Sequence, residues 1–305
     1  MADGVATSPL MASDHMGGGK EAIDDSEALE TELPAEQEKM DDGWVHRERV
    51  HETTCVVLSH IFVVLSIVFV SLWIQEKDVS GGGVSWETPE VFNWHPLLMV
   101  AAFGCMSLAV VAFRKPYRTQ LLITRSRSNN GYTYREGDHE SGLVSGVSNS
   151  KLFHASLWFA TFMFGSIALR AVWRSHDNRD FGFIANLYSL HSWIGIGVVS
   201  FFLGQFFASA YLFSGFFDNL FSPSQRAFAL KCHRFLGLCI YNMAAATILL
   251  GIQEKEGFIG CAYEVTESDE NPASHYLDIP YSCRLSHGLG IIILAQTLCT
   301  MCTLY

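Results

Sequence analysis

Apolar residues in this chain are gathered into long runs rather than spaced as the buried stripes of a soluble helix. Six stretches of mainly apolar residues stand out, at 53–75, 92–113, 152–173, 187–213, 229–251 and 284–305. A helix needs about 20 such residues to cross a hydrocarbon core about 30 Å thick. In lipid, backbone polar groups must be satisfied within the segment, so each run predicts a membrane-spanning helix. The fold class expected is all-α: a polytopic membrane protein of six helices, numbered here 1 to 6, with short or polar connections.

The chain has 305 residues, 49% hydrophobic and 17% charged, with a net charge of −11. The charge is concentrated at one end. Residues 1–43 carry twelve acids against Lys20 and Lys39, so the rest of the chain is close to neutral. That stretch has few aromatics and no helical apolar period, which reads as a disordered acidic tail over 1–45, leaving 46–305 as the transmembrane domain. It has no basic segment followed by an apolar core, so it is not a signal peptide. Nothing in the charge pattern points to nucleic acid.

Lysine and arginine set the orientation. The N-terminus and the 2–3 and 4–5 connections hold Lys20, Lys39, Arg47, Arg49, Arg114, Lys115, Arg118, Arg125, Arg127, Arg135, Lys151, Arg226, Lys231 and Arg234. The opposite side holds only Lys77, Arg170, Arg174, Arg179, Lys255 and Arg284. Both termini are therefore expected in the cytosol, in an organelle membrane (endolysosomal, vesicular or vacuolar) or the plasma membrane. The 2–3 connection, 124–150, is rich in Ser, Gly and Asn and reads as a flexible cytosolic insertion. The acidic 5–6 loop faces the other compartment, flanked by Cys261 and Cys283. An oxidising compartment would favour a disulfide between them, and their separation in space decides it.

Ionisable groups inside lipid are expensive and call for a reason. Four spans each carry a histidine near their point of entry: His95, His154, His191 and His233. With the orientation above, His95 and His191 share a shallow depth on the non-cytosolic side, and His154 and His233 share one on the cytosolic side. Neutral imidazole is a common ligand for haem iron. Two histidines at matched depth on neighbouring helices can supply both axial ligands of one haem, and two such pairs would stack two haems across the bilayer. One haem near a single face would leave about 30 Å of hydrocarbon to cross. Covalent attachment needs C-x-x-C-H, and Ala229 stands where the first cysteine before Cys232-His233 would be, so the haems expected are of the b type. The alternatives are interfacial histidines bonded to carbonyls, or a histidine proton relay in a coupled transporter. His287 shares the depth of the first pair and competes with it, and His60 lies in helix 1. Against a transporter stand the lack of intramembrane Asp or Glu partners and of visible inverted repeats. Gly195 and Gly197 follow His191 and leave room for a flat ring or a neighbouring helix.

At these residues the chain resembles the cytochrome b561 family, transmembrane ascorbate-dependent oxidoreductases. The segment GGVSWETPEVFNWHPLLMV is similar to that family's approach to its second helix, with an FN-x-HP signature, and ANLYSLHSWIG to its YSLHSW signature at the fourth. KLFH and CHRFLG fit its third and fifth helices more loosely. The resemblance covers 45–305. It implies a four-helix core (helices 2 to 5) binding two b haems and electron transfer from cytosolic ascorbate to monodehydroascorbate or ferric iron, as a chelate, on the far side. Homodimers are usual in the family. Lys151 matches its cytosolic substrate lysine, Arg114 resembles the basic residue ending its second helix, and Lys115 lies beside it. His176 resembles a family histidine near the second substrate site, where Tyr188 and Ser189 are placed to donate hydrogen bonds. The 2–3 and 3–4 connections are longer than the family's, and the acidic tail is additional.

Overall fold

The computed structural model describes residues 50–87, 89–113, 139–177, 184–213, 220–261 and 279–304, with side chains of 139–149 left aside. The acidic tail, Arg114, Lys115 and most of the 2–3 connection fall outside the described residues. Among the described residues six helices are long and apolar enough to cross a membrane: α1 Val50–Trp73, α2 Trp94–Val111 (led in by a 3-10 turn, Pro89–Asn93), α3 His139–His176, α4 Leu190–Phe213, α5 Pro223–Ile259 and α6 Tyr281–Cys302. The protein is an all-α polytopic membrane protein.

Two helices run longer than their apolar stretches. α3 starts at His139, inside the segment read from sequence as a flexible insertion. No proline interrupts residues 139–151, so the helical ladder continues beyond the apolar run. α5 has 37 residues, about 55 Å at 1.5 Å per residue, so it outreaches the hydrocarbon core. Its start is fixed by a capping box, in which Ser222 Oγ accepts from the Gln225 N–H and the Gln225 side chain accepts from the Ser222 N–H, with Pro223 next. Gly260, left-handed at φ 82°, ends it. The last turns of α5, with Glu254, Lys255 and Glu256, therefore extend beyond the apolar stretch that ends near 251.

The tightly packed core joins α1, α2, α5 and α6 around Val70, Trp73, Phe103, Tyr241, Leu289 and Ile293. It contains a buried polar seam in which Gln296 Nε2 donates to Ser107 Oγ (2.8 Å), Ser107 meets the Tyr241 hydroxyl (2.9 Å) and Ser59 meets Thr300 (2.8 Å). Such bonds hold helices together where apolar side chains gain nothing from leaving lipid. α3 packs against α2, and α4 against α5. α4 turns Trp193, Phe201 and Phe207 outward as a lipid-facing belt.

The connection from α1 to α2 is built rather than loose. Ser80, Gly81, Gly82 and Gly83 all take positive φ, and a Cβ on Gly82 would lie 2.7 Å from the Gln75 carbonyl oxygen. Fully buried Asn93 closes the turn, donating from Nδ2 to the Val79 (3.0 Å) and Gly83 (2.8 Å) carbonyls. The Asn of FNWHP thus sets where α2 begins, two residues before His95. A disulfide joins Cys261 to Cys283 with Cα atoms 5.7 Å apart, which ties the end of α5 to the start of α6.

Candidate cofactor-binding site

Four histidines project between the helices in two pairs. The rings of His95 (α2) and His191 (α4) have centroids 6.1 Å apart and lie nearly perpendicular, at 87°. Those of His154 (α3) and His233 (α5) are also 6.1 Å apart, at 70°. The pairs form across the bundle, α2 with α4 and α3 with α5, whereas the helices that pack most closely are α2 with α3 and α4 with α5.

That closer packing supplies the second nitrogen's partner. His95 Nδ1 bonds the Ala168 carbonyl on α3 (3.3 Å), and His154 Nδ1 returns the contact to Ala109 on α2 (2.8 Å). His191 Nδ1 bonds the Thr247 carbonyl on α5 (2.8 Å), and His233 Nδ1 meets Ser209 Oγ on α4 (2.9 Å). A carbonyl can only accept, so in three of the four the proton sits on Nδ1 and Nε2 presents its lone pair. Metal-bound histidines are tethered in this way through the other nitrogen.

An iron held between two imidazole nitrogens at about 2 Å each separates the ring centroids by about 6 Å. Both pairs have that spacing. Among the described residues no group of three or more His, Cys, Asp or Glu is placed to hold a metal ion. Histidines in twos suit an iron whose remaining positions come from a porphyrin. The donor set fits haem.

A cavity of about 620 Å³ lies between α2, α3, α4 and α5 and is lined by His95 and His191. Its walls are mainly apolar, among them Met106, Phe162 and Phe202, in keeping with a cofactor site. Gly251 on α5 is essential to it: a Cβ there would lie 2.7 Å from His191 Cε1 and 3.0 Å from its Nδ1. Phe92, Phe113 and Phe213 lie beside His95, His154 and His233 at 6.0, 5.2 and 5.9 Å. Trp158 joins His154 (6.0 Å) to Phe202 (5.6 Å) and so to the cavity wall.

The two competing histidines sit elsewhere. His60 bonds its own helix through the Val56 carbonyl (2.6 Å), and His287 faces Glu256 at 3.6 Å.

The chain is similar to the cytochrome b561 family. Residues 140–259 match the family model for eukaryotic cytochrome b561. The lysosomal membrane ascorbate-dependent ferrireductase of Mus musculus is 28% identical over 258 residues, 84% of this chain and 86% of its own length. The human protein of the same description is 29% identical over 236 residues, 76% of this chain and 79% of its own. A plasma membrane ascorbate-dependent reductase of Xenopus tropicalis is 30% identical over 206 residues, 66% of this chain and 58% of its own.

Of the residues that the cytochrome b561 resemblance assigns to substrate, His176 and Tyr188 line the cavity. His176 Nδ1 meets Asn186 Oδ1 at 3.0 Å. The Tyr188 hydroxyl donates to Glu254, and burial first, then that carboxylate, raises its pKa, so it stays a donor throughout the working pH range. Ser189 lies off the lining and caps α4, its Oγ accepting from the Ser192 N–H at 3.2 Å. Lys151 stands exposed one turn before His154, at the opposite end of the bundle. Sequence reasoning missed Glu254 and Lys255 on the lining, and Gly251. The signal for Gly251 was its place four residues after Thr247, one helical turn beyond the carbonyl that tethers His191.

Proposed function

We propose that this protein carries electrons across its membrane from cytosolic ascorbate to an acceptor on the far side, with two b-type haems as its redox groups. His95 and His191 would hold the non-cytosolic haem, and His154 and His233 the cytosolic one. The reading is carried by one observation: two cross-bundle histidine pairs at the same 6.1 Å spacing, each ring tethered through Nδ1 to a neighbouring helix. When bound, a haem would supply one-electron chemistry.

The chain's own residues do the rest. The carbonyls of Ala168, Ala109 and Thr247, with Ser209, fix the ring planes and the tautomers. The apolar walls exclude water and hold the site dry. Lys151, with Arg114 and Lys115, supplies positive charge for ascorbate, an anion at neutral pH, at the cytosolic mouth. His176 and Tyr188 receive the acceptor at the other. The names of the relatives, ascorbate-dependent ferrireductases and reductases of lysosomal and plasma membranes, favour ferric iron as that acceptor, with monodehydroascorbate the second candidate. The bias of lysine and arginine supports cytosolic termini, and the family's habit supports a homodimer.

Vesicles of the purified protein test this reading. Ascorbate outside should reduce both haems, seen as sharp b-type bands in a reduced-minus-oxidised spectrum, and ferric citrate trapped inside should reoxidise them. A colourless, well-folded preparation contradicts it.

A further inference from the structure

The cavity that holds His95 and His191 is mainly apolar, and Glu254 and Lys255 from the last turns of α5 join its lining. Lys255 is the one lysine or arginine on that lining among the described residues. Its ammonium donates to Ser80 Oγ at 2.7 Å and sits over the Phe92 ring, 4.5 Å from the centroid, with the negative charge of Asp78 nearby. Phe92 in turn lies 6.0 Å from His95. A positive charge is thus fixed one aromatic ring away from the histidine pair.

An ammonium carries three donors, and Ser80 takes one of them. In surroundings poorer in water than the open surface, an anion at that position gains more from the charge than it would outside. Neighbouring Glu254 sets the opposite polarity through its contact with Tyr188. The lip therefore offers a cation for oxygen-borne negative charge and a carboxylate for hydroxyl protons.

We propose that Lys255 is the docking cation for a small, oxygen-rich anion at this mouth: the carboxylates of a ferric chelate, or the oxygens of ascorbate or its radical. The proposal rests on the electron-transfer reading above and adds the residue that selects an anionic acceptor. A lysine that merely stapled the Gly-rich turn to α5 would support stability without this selectivity.

Gallium(III) citrate, a redox-inert counterpart of the ferric chelate, tests binding apart from electron transfer. Titrated calorimetrically into detergent-purified holoprotein, it should bind more weakly as salt rises, and Lys255→Met should weaken it by about tenfold. Lys255→Arg, which keeps the charge, should bind within about threefold of the parent. Ascorbate titrated in the same way shows whether the second source of such oxygens uses the same lysine. Reoxidation of ascorbate-reduced protein by ferric citrate should slow in Lys255→Met through a raised half-saturation, whereas a neutral quinone acceptor should react unchanged. Binding of both anions unaffected by Lys255→Met overturns the proposal. So does equal weakening in Met and Arg variants accompanied by a lower melting temperature, the mark of a staple. Lysine-dependent binding in a parent protein that no acceptor reoxidises would leave the docking site standing and refute the electron-transfer reading alone.

Discussion

Gly251 shows how little space separates a ligand from a misplaced ring. Any side chain there meets the imidazole of His191, which the Thr247 carbonyl holds in place and which has no room to retreat toward α5. Gly251→Val should therefore displace His191 and lose about half of the haem absorbance, while the His154–His233 pair keeps its own. Asn93 tests the approach to the same pair. Asn93→Leu removes the donor to the Val79 and Gly83 carbonyls and should destabilise the folded protein by about 1–3 kcal/mol, read as a lower temperature of haem release. The four histidines were legible because ionisable groups are rare in apolar runs and matched depth follows from topology alone. Their partners were not: Ala168, Ala109 and Thr247 act through backbone oxygens, which no side-chain pattern marks. Gly195 and Gly197 drew attention by adjacency to His191, yet Gly251 touches its ring, from 60 residues along the chain.

At the level of elements, the apolar runs located the six spanning helices among the described residues because lipid leaves the backbone no other arrangement. Their ends were less legible. Hydropathy ends where the hydrocarbon ends, but hydrogen-bonded turns continue through water, so α3 begins at His139 and α5 reaches Ile259. That extension brings Glu254 and Lys255 to the cavity mouth. The start of α5 was written in Ser222-Pro-Ser-Gln225, a capping box. Ser222→Ala should cost about 1 kcal/mol, seen as fraying of the first turn in hydrogen exchange, with both haems retained. Unchanged exchange there would show that packing alone defines the end of the helix.

For the whole molecule, the packed core of α1, α2, α5 and α6 stands beside the cavity between α2, α3, α4 and α5. The disulfide belongs to this scale. Cys261 and Cys283 lie 22 positions apart in the sequence, so Cys261→Ser with Cys283→Ser should lower stability by about 2–4 kcal/mol without altering the spectrum. The pairing was open in the sequence because spacing along a chain does not give spacing across a loop. The central claim is that this bundle holds two porphyrin irons, one per histidine pair, and the haem-to-chain ratio of the purified protein tests it most directly. Measured by pyridine haemochrome against amino-acid analysis, the ratio should be about two, falling to about one in His191→Ala and to about one in His233→Ala. A ratio of one in the parent, or a single substitution that empties both sites, would contradict it.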